Sequence, residues 1–187
     1  MKGISHLVTG VATVPIIDTG LKYLSKILGS DVFKIYRDFI FATPGDSDLI
    51  KKLSPVVFIA MFVLGCLLPD IDQENSTLGR YIHIPVAHRT WTHTAWGLIF
   101  LGIASIFAPY IFWLAYGCFL HIFYDSLSKG GICWFYPISQ YRTWASGAQV
   151  KKGHSIYLYR TGEASETVLA TLVVILGVAA FALGFLV

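Results

Sequence analysis

The amino-acid sequence predicts an all-α integral membrane protein, a compact bundle of about five short transmembrane helices with a long loop between the last two. Hydrophobic residues make up 55% of the 187 residues and charged residues only 13%, whereas an ordinary soluble domain carries about 25% charged residues. Several uncharged runs approach the length of about 20 residues that one bilayer crossing requires. Because no repeat or low-complexity tract divides the chain, we treat residues 1–187 as a single membrane-embedded domain.

The first predicted helix covers residues 4–28 and is mixed in character. Its first half is apolar, while Asp18, Lys22 and Lys26 recur every four residues and therefore lie along one helical face. We expect one helix whose second half leaves the membrane or lies on its surface. Lys2 followed by an apolar stretch also resembles a signal peptide, but no small-x-small cleavage site follows, which favours a retained helix.

The second predicted helix, residues 53–68, is short and stops at Pro69. At about 1.5 Å per residue it crosses a bilayer only with its ends drawn into the interface or with local thinning of the lipid. The segment before it, residues 29–52, mixes charged and aromatic residues. We predict that this segment lies at the membrane interface and turns at Pro44-Gly45.

An uncharged run over residues 94–124 is interrupted near its middle by Pro109. Since about 20 residues suffice for one crossing, this run is best interpreted as two short helices joined by a tight hairpin. One long helix kinked at Pro109 is the alternative. A hydrophilic segment, residues 126–166, then leads to the last predicted helix, residues 167–187, which carries no charge.

Histidine and aspartate residues cluster at the ends of these helices. If successive helices cross in alternate directions, four separate segments deliver such residues to one side of the membrane, here called face X, where the first helix begins. His121 and Asp125 form an i,i+4 pair, so both side chains project from one helical face and can share a partner. His83 and His154 are predicted to be loop residues on the same side. The candidate metal ligands on face X are His6, Asp70, Asp72, His88, His93, His121 and Asp125.

Imidazole nitrogens and carboxylate oxygens, with no thiol nearby, suit Zn²⁺, Mn²⁺ or Mg²⁺ better than copper or an iron–sulfur cluster. We predict a divalent metal cofactor of one or two ions, with zinc or manganese favoured over magnesium, because the candidates outnumber the ligands of one catalytic Zn²⁺. Some candidates can instead orient a ligand imidazole from outside the coordination shell. Two alternatives stay open: Asp70 and Asp72 can merely end a helix, and His88 and His93 can belong to an interfacial loop.

Four motifs occur in order along the chain: LPDID at residues 68–72, HRTWTHT at residues 88–94, His121-x-x-x-Asp125, and FYP at residues 135–137. Over residues 1–170 this order resembles the membrane-bound metal-dependent hydrolase family of YdjM-like proteins, whose bacterial members include a LexA-regulated inner-membrane protein. The resemblance implies a multi-helical inner-membrane protein and a metal-dependent hydrolase. It also implies that the aspartates and histidines of these motifs, together with the N-terminal His6, are metal ligands.

We expect hydrolysis of a phosphoester or pyrophosphate bond in the headgroup of a membrane lipid. The predicted catalytic residues are Arg89 and a proton acceptor, which is either Asp72 or Glu166. Four cations near face X can neutralise phosphate oxygens, although contact with anionic headgroups explains each of them equally well: Arg80, Arg89, Lys129 and Arg142. A net charge of +3 without a basic cluster predicts no nucleic-acid partner. The sequence leaves the oligomeric state undetermined.

Two other functions fit the same residues. An intramembrane metalloprotease or amidase would use the same metal chemistry on a carbonyl group, but the sequence contains no H-E-x-x-H helix. A membrane binding or regulatory protein would use a structural metal to brace short helices, with residues 126–166 as a partner-binding loop. For the location we predict a multi-pass protein of the inner (cytoplasmic) membrane, with face X cytoplasmic because its loops carry more Lys and Arg.

Overall fold

The computed structural model describes residues 3–40, 48–138 and 156–186. These residues form six α-helices and two short 3₁₀ helices, and an isolated β-bridge joins Ser128 to Tyr159. The α-helices are α1 (Gly3–Leu28), α2 (Val32–Ile40), α3 (Asp48–Leu67), α4 (Ala95–Phe107), α5 (Tyr110–Leu127) and α6 (Ala164–Gly184), and the 3₁₀ helices are Leu68–Asp72 and Trp91–His93. The predicted all-α fold is confirmed, with the five predicted helices as α1, α3, α4, α5 and α6.

The additional helix, α2, lies in the segment that we placed at the membrane interface. Its sequence, VFKIYRDFI, puts Lys34, Arg37 and Asp38 on one side and apolar residues on the other. An amphipathic helix of this kind suits a position in the plane of the interface. The predicted turn at Pro44-Gly45 lies outside the described residues.

The uncharged run around Pro109 forms two helices rather than one kinked helix. α4 ends at Phe107, Ala108 is extended, and α5 begins at Tyr110. Proline at the start of α5 is tolerated because its missing N–H would have no helical partner at that position. The two helices pack against each other, which confirms the predicted hairpin.

Three helices of the described chain are long and apolar enough to cross a membrane: Gly3–Leu28, Ser54–Asp72 and Ala164–Gly184. Their outward surfaces are apolar, as at Val168, Leu172 and Ile175 of α6, each more than half exposed. Such a continuous apolar surface suits contact with lipid rather than with water. α4 is equally apolar but has only 13 residues, so at about 1.5 Å per residue it is shorter than a bilayer core.

The contacts between α1 and α6 show that these two helices run parallel. Thr19 Oγ1 donates a hydrogen bond to Ala180 O at 2.8 Å, and Lys22 Nζ donates one to Gly184 O at 3.3 Å. Three residues further along α1, the partner lies four residues further along α6, as expected for helices that run in the same direction. α6 therefore begins at the same end of the bundle as α1.

The backbones of α3 and α5 approach each other closely. A methyl group added to Gly65 would lie 2.3 Å from Leu114 O, and one added to Gly117 would lie 2.4 Å from Phe62 O. The absence of a side chain at both glycines lets the two backbones approach this closely. The contact places His121, one turn beyond Gly117, beside the end of α3.

Candidate metal centre

Residues from four parts of the chain meet at one end of the bundle: the start of α1, the 3₁₀ helix after α3, the loop before α4, and the end of α5. All are buried except His88, whose side chain is 31% exposed. Their ligand atoms form two groups, and within each group all the atoms lie within 4.8 Å of one another. The first group is Asp70, His88, His93 and Asp125, and the second is His6, His121 and Asp125. The structure thus brings together six of the seven candidate ligands.

The two aspartates of the LPDID motif have different surroundings because they lie on a 3₁₀ helix. With three residues per turn, side chains two positions apart point about 120° away from each other. Asp70 Oδ1 faces His121 Nε2 at 3.4 Å and His93 Nε2 at 3.8 Å. Asp72 contacts His88 instead. Only Asp70 therefore enters a ligand group.

His121 is held in place by the backbone of α3. Its Nδ1 donates a hydrogen bond to Cys66 O at 2.7 Å, so in the neutral imidazole the lone pair is on Nε2. Nε2 is buried without a hydrogen-bond partner and lies 3.4 Å from Asp70 Oδ1. A nitrogen lone pair and a carboxylate oxygen repel each other unless a proton or a cation lies between them.

His93 is held in place through Thr92. Its Nδ1 donates to Thr92 Oγ1 at 2.8 Å, and that hydroxyl donates to Asp72 Oδ2 at 2.6 Å. Because the single hydroxyl proton goes to Asp72, the proton of His93 must lie on Nδ1. Complete burial lowers the pKa of His93 and keeps its ring neutral. The lone pair on Nε2, which has no hydrogen-bond partner, faces Asp70 and Asp125.

His88 is the third histidine whose Nδ1 is committed. It donates to Asp72 Oδ1 at 2.8 Å, while Nε2 contacts the side-chain amide of Gln73. Asp72 Oδ2 also accepts a hydrogen bond from the backbone N–H of Arg89 at 3.3 Å. Both oxygens of Asp72 are thus engaged, and Asp72 belongs to neither ligand group. Its position fits a residue that orients ligand imidazoles from outside the coordination shell, a role that the sequence left open for some of the candidates.

Asp125 belongs to both ligand groups. Its Oδ1 lies 3.2 Å from His6 Nε2, and its Oδ2 lies 3.5 Å from His93 Nε2. His6 in turn stacks on His121, with the ring centroids 3.6 Å apart. As the i,i+4 spacing predicted, His121 and Asp125 project from one face of α5 into a common group. A carboxylate shared in this way would be available to both sites if each group held an ion.

Arg89 ties the centre to its surrounding loops. Its Nη2 lies 2.9 Å from Asp125 Oδ1, and its Nη1 donates to Ser128 Oγ at 2.8 Å and to Gly131 O at 3.3 Å. Its backbone φ is +62°, a left-handed conformation that costs roughly 1–2 kcal/mol in a residue with a side chain. The guanidinium contacts and the bond from the backbone N–H to Asp72 offset this strain.

The donor set fits a divalent ion. At metal–ligand distances of about 2.1 Å, the ligand atoms of a tetrahedral ion lie roughly 3.4 Å apart. Four nitrogen–oxygen distances in the centre run from 3.2 to 3.8 Å; three join atoms of the same group, and one joins His121 to Asp70 of the other group. A bound cation would also remove the repulsion between the imidazole lone pairs and the carboxylates. The residues therefore fit the one or two ions expected from the sequence.

Several predicted residues lie away from the two groups. Glu166, predicted as a proton acceptor, is buried in the first turn of α6, where its Oε2 accepts a hydrogen bond from the backbone N–H of Gly162 at 2.7 Å. It belongs to neither ligand group, and the same is true of His83. His154 and Arg142 lie outside the described residues.

Sequence reasoning missed three groups that position the candidate ligands. These are the Thr92 hydroxyl, the Gln73 amide and the backbone carbonyl of Cys66. The position of Thr92 directly before His93 was a signal for the first, but its partner depends on how the chain folds between two motifs. No pattern in the sequence marks a backbone carbonyl as a histidine partner.

A cavity of about 1050 Å³ opens beside the first ligand group. Asp70, His88 and Arg89 form part of its wall, so the centre can be reached from the cavity. Cations from three separate loops line it as well: Arg80, Lys129 and Arg160. The sequence predicted Arg80 and Lys129 as cations that can neutralise phosphate oxygens. It did not predict this role for Arg160.

The apolar helices and the buried His/Asp centre define a helical membrane protein with a candidate metal site. The family model described as YdjM inner membrane protein matches residues 1–186, and the chain belongs to this family. The match confirms the YdjM-like resemblance in the sequence and the inner-membrane class of the protein. No curated protein and no solved structure gives a significant match to this chain.

Proposed function

We propose that this protein is a metal-dependent hydrolase that cleaves a phosphoester or pyrophosphate bond in a lipid headgroup at the membrane interface. The observation that carries the proposal is the convergence of two buried Nε2 atoms, those of His93 and His121, on the carboxylate of Asp70. Neither nitrogen has a hydrogen-bond partner. Buried lone pairs are costly unless a proton or a cation binds them, and the cavity gives a substrate access to the same atoms.

The chain's own residues have distinct tasks in this proposal. Two divalent ions would be held by Asp70, His88, His93 and Asp125 and by His6, His121 and Asp125. When bound, zinc or manganese, or less favourably magnesium, activates water and polarises a phosphoryl oxygen. Asp72 and Thr92 keep the imidazoles of His88 and His93 in the tautomer that carries the proton on Nδ1. Arg89 adds positive charge where phosphate oxygens would lie.

The surroundings of the cavity favour a lipid over a soluble substrate. Ile4 lines the cavity, and one helical turn further along α1, Leu7 and Val8 line an apolar groove of about 450 Å³ against α6. α1 and α6 are both candidate membrane spans, so this groove lies at the depth of lipid hydrocarbon. A lipid with its headgroup in the cavity would have its chain beside the groove.

We further propose a multi-pass arrangement with the centre on the cytoplasmic side. The directions of the helices support alternate crossings, because α1 and α6 begin at the centre whereas α3 and α5 end there. The loops beside the centre carry Arg80, Lys129 and Arg160. Lys and Arg in loops of fewer than about 60 residues favour the cytoplasmic face of a bacterial inner membrane.

The proposal is tested by phosphate release from purified protein supplied with Zn²⁺ or Mn²⁺. The substrates are a panel of phospholipids and polyprenyl diphosphates in mixed micelles. We expect metal-dependent release of phosphate or of a phosphorylated headgroup, and its loss in Asp70→Asn. Glu74→Gln, at a carboxylate that is 80% exposed, is the matched control and should keep wild-type activity. No release from any lipid by folded, metal-loaded protein contradicts the proposal.

The same variants separate catalysis from a purely structural metal. A catalytic site predicts that Asp70→Asn stays folded, with a melting temperature close to that of Glu74→Gln, while activity stops. If Asp70→Asn instead unfolds and no lipid is cleaved by the wild type, the metal braces the helices and the regulatory alternative is favoured.

A further inference from the structure

The cavity beside the metal centre has a second charged wall. Arg80 and Lys129 are exposed side chains on different loops, and both line the cavity. In the part of the chain that the structure describes, neither forms an ion pair. Arg160 also lines the cavity, but it forms an ion pair with Glu163, with Nη1 3.2 Å from Oε1. The wall therefore has positive charge that no described carboxylate neutralises.

The loop that carries Arg80 is anchored to the centre itself. Ser76 Oγ donates a hydrogen bond to Asp70 O at 2.7 Å and accepts one from the backbone N–H of Gly79 at 2.8 Å. Arg80 follows directly, and its guanidinium lies over the Tyr81 ring at 5.6 Å. The backbone that precedes this cation is thus anchored to a candidate ligand.

The loop that carries Lys129 is anchored in the same way. Lys129 follows Ser128, whose hydroxyl accepts the hydrogen bond from Arg89 Nη1 at 2.8 Å. The backbone N–H of Lys129 donates to Tyr159 O at 2.8 Å, which brings Arg160, the next residue, alongside. Lys129 and Arg160 therefore lie on backbone segments next to Arg89.

We propose that the cavity binds a lipid with two adjacent phosphate groups, one at Asp70, His88 and Arg89 and the other between Arg80 and Lys129. This inference rests on the proposed function and narrows its substrate to the class of lipid diphosphates. A single phosphate at the centre would leave the second wall without a counter-charge. A second phosphate supplies acceptor oxygens for charge-assisted hydrogen bonds from both cations.

Binding, rather than turnover, tests this inference. The probes are a farnesyl diphosphate analogue with a methylene bridge between its phosphorus atoms, which cannot be hydrolysed there, and farnesyl monophosphate. With metal-loaded protein in micelles, we expect the wild type to bind the two-phosphorus probe at least about 10-fold more tightly. The double variant Arg80→Gln, Lys129→Gln should lose this difference and bind the monophosphate within about 2-fold of the wild type.

A matched control removes the same charge elsewhere. Lys34→Gln, Arg37→Gln on α2 deletes two exposed cations that do not line the cavity, and should preserve the wild-type preference. Because all four substituted side chains are exposed, we expect both double variants to fold. Inorganic pyrophosphate is the third probe: binding far weaker than that of the farnesyl compound supports a lipid ligand, and equal binding overturns it in favour of a soluble diphosphate.

Besides equal binding of inorganic pyrophosphate, three results would overturn the inference: equal affinity of the wild type for the two farnesyl probes, an unchanged preference in Arg80→Gln, Lys129→Gln, or the same loss of preference in the α2 control. The methylene bridge prevents cleavage between the two phosphorus atoms, so hydrolysis of a pyrophosphate bond does not affect the result with this probe. A protein that binds the probe as expected but cleaves no lipid would contradict the proposed function and leave the binding site intact.

Discussion

Asp72 controls the tautomers of two histidines at once. It accepts a hydrogen bond from His88 directly and from His93 through the Thr92 hydroxyl. Each bond holds the ring proton on Nδ1. Nε2 of His93 then faces the candidate centre without a hydrogen-bond partner, whereas Nε2 of His88 contacts the side-chain amide of Gln73. A carboxylate behind ligand histidines in this way typically improves metal affinity without binding the metal itself.

Replacing Thr92 by valine should weaken metal binding. Valine has nearly the same shape, but it cannot accept the proton of His93 Nδ1 or donate to Asp72. We expect metal affinity to fall by about 10-fold to 100-fold, measured by competition with a chromogenic chelator. Thr92→Ser keeps the hydroxyl and should stay within about 3-fold of the wild type. Equal affinities for the valine and serine variants would show that the hydroxyl does not orient His93.

At the residue scale, the sequence predicted which side chains lie together in the candidate centre. It did not predict which of them belong to a ligand group and which orient a ligand. His and Asp at the ends of apolar helices are rare enough to be recognised as a set, and six of the seven candidates lie in the two ligand groups. Asp70 and Asp72 look equivalent in the motif. Only the 3₁₀ turn, which depends on the packing after α3, sends them to different partners.

At the scale of the helices, the approach of α3 to α5 sets the geometry of the centre. Gly65 and Gly117 lie where the two backbones meet. His121 is one turn beyond Gly117 and bonds to the carbonyl of Cys66, which follows Gly65. A change in the spacing of these helices would therefore move His121 relative to Asp70.

Gly117→Ala should destabilise the protein and lower its metal content. The new methyl group would lie 2.4 Å from Phe62 O, and overpacking of this kind typically costs about 1–3 kcal/mol. Gly102→Ala on α4 is the matched control, because a methyl group there meets nothing within 4 Å and should stabilise the helix by up to about 1 kcal/mol. The measurements are thermal unfolding and metal content, and similar behaviour of the two variants would contradict the role of the close contact.

Among the helices, the sequence predicted the break at Pro109 correctly because proline and its neighbours have strong local preferences. Helix ends were less predictable. α6 begins at Ala164, three residues before the uncharged run, because Glu166 in its first turn accepts the backbone N–H of Gly162. Hydropathy alone places a charged residue outside a membrane helix, whereas a helix end can accommodate it.

At the scale of the whole molecule, the positions of the cations predict its orientation in the membrane. A single cysteine can be placed at Asp31, exposed at the start of α2, or at Thr161, exposed beside the cavity. The native Cys66, Cys118 and Cys133 are buried, so they should react little. With a membrane-impermeant maleimide, we expect Asp31→Cys to be labelled in spheroplasts and Thr161→Cys only after lysis. The opposite pattern would place the centre on the outer side.

The central claim is that the side chains at one end of the bundle hold a divalent metal. The most direct test is elemental analysis of the folded protein purified without a chelator. We expect about one to two ions of zinc or manganese per chain, strongly reduced in Asp125→Asn, because Asp125 is shared by both ligand groups. Folded wild-type protein with no zinc, manganese, iron, magnesium or calcium above background would contradict the claim.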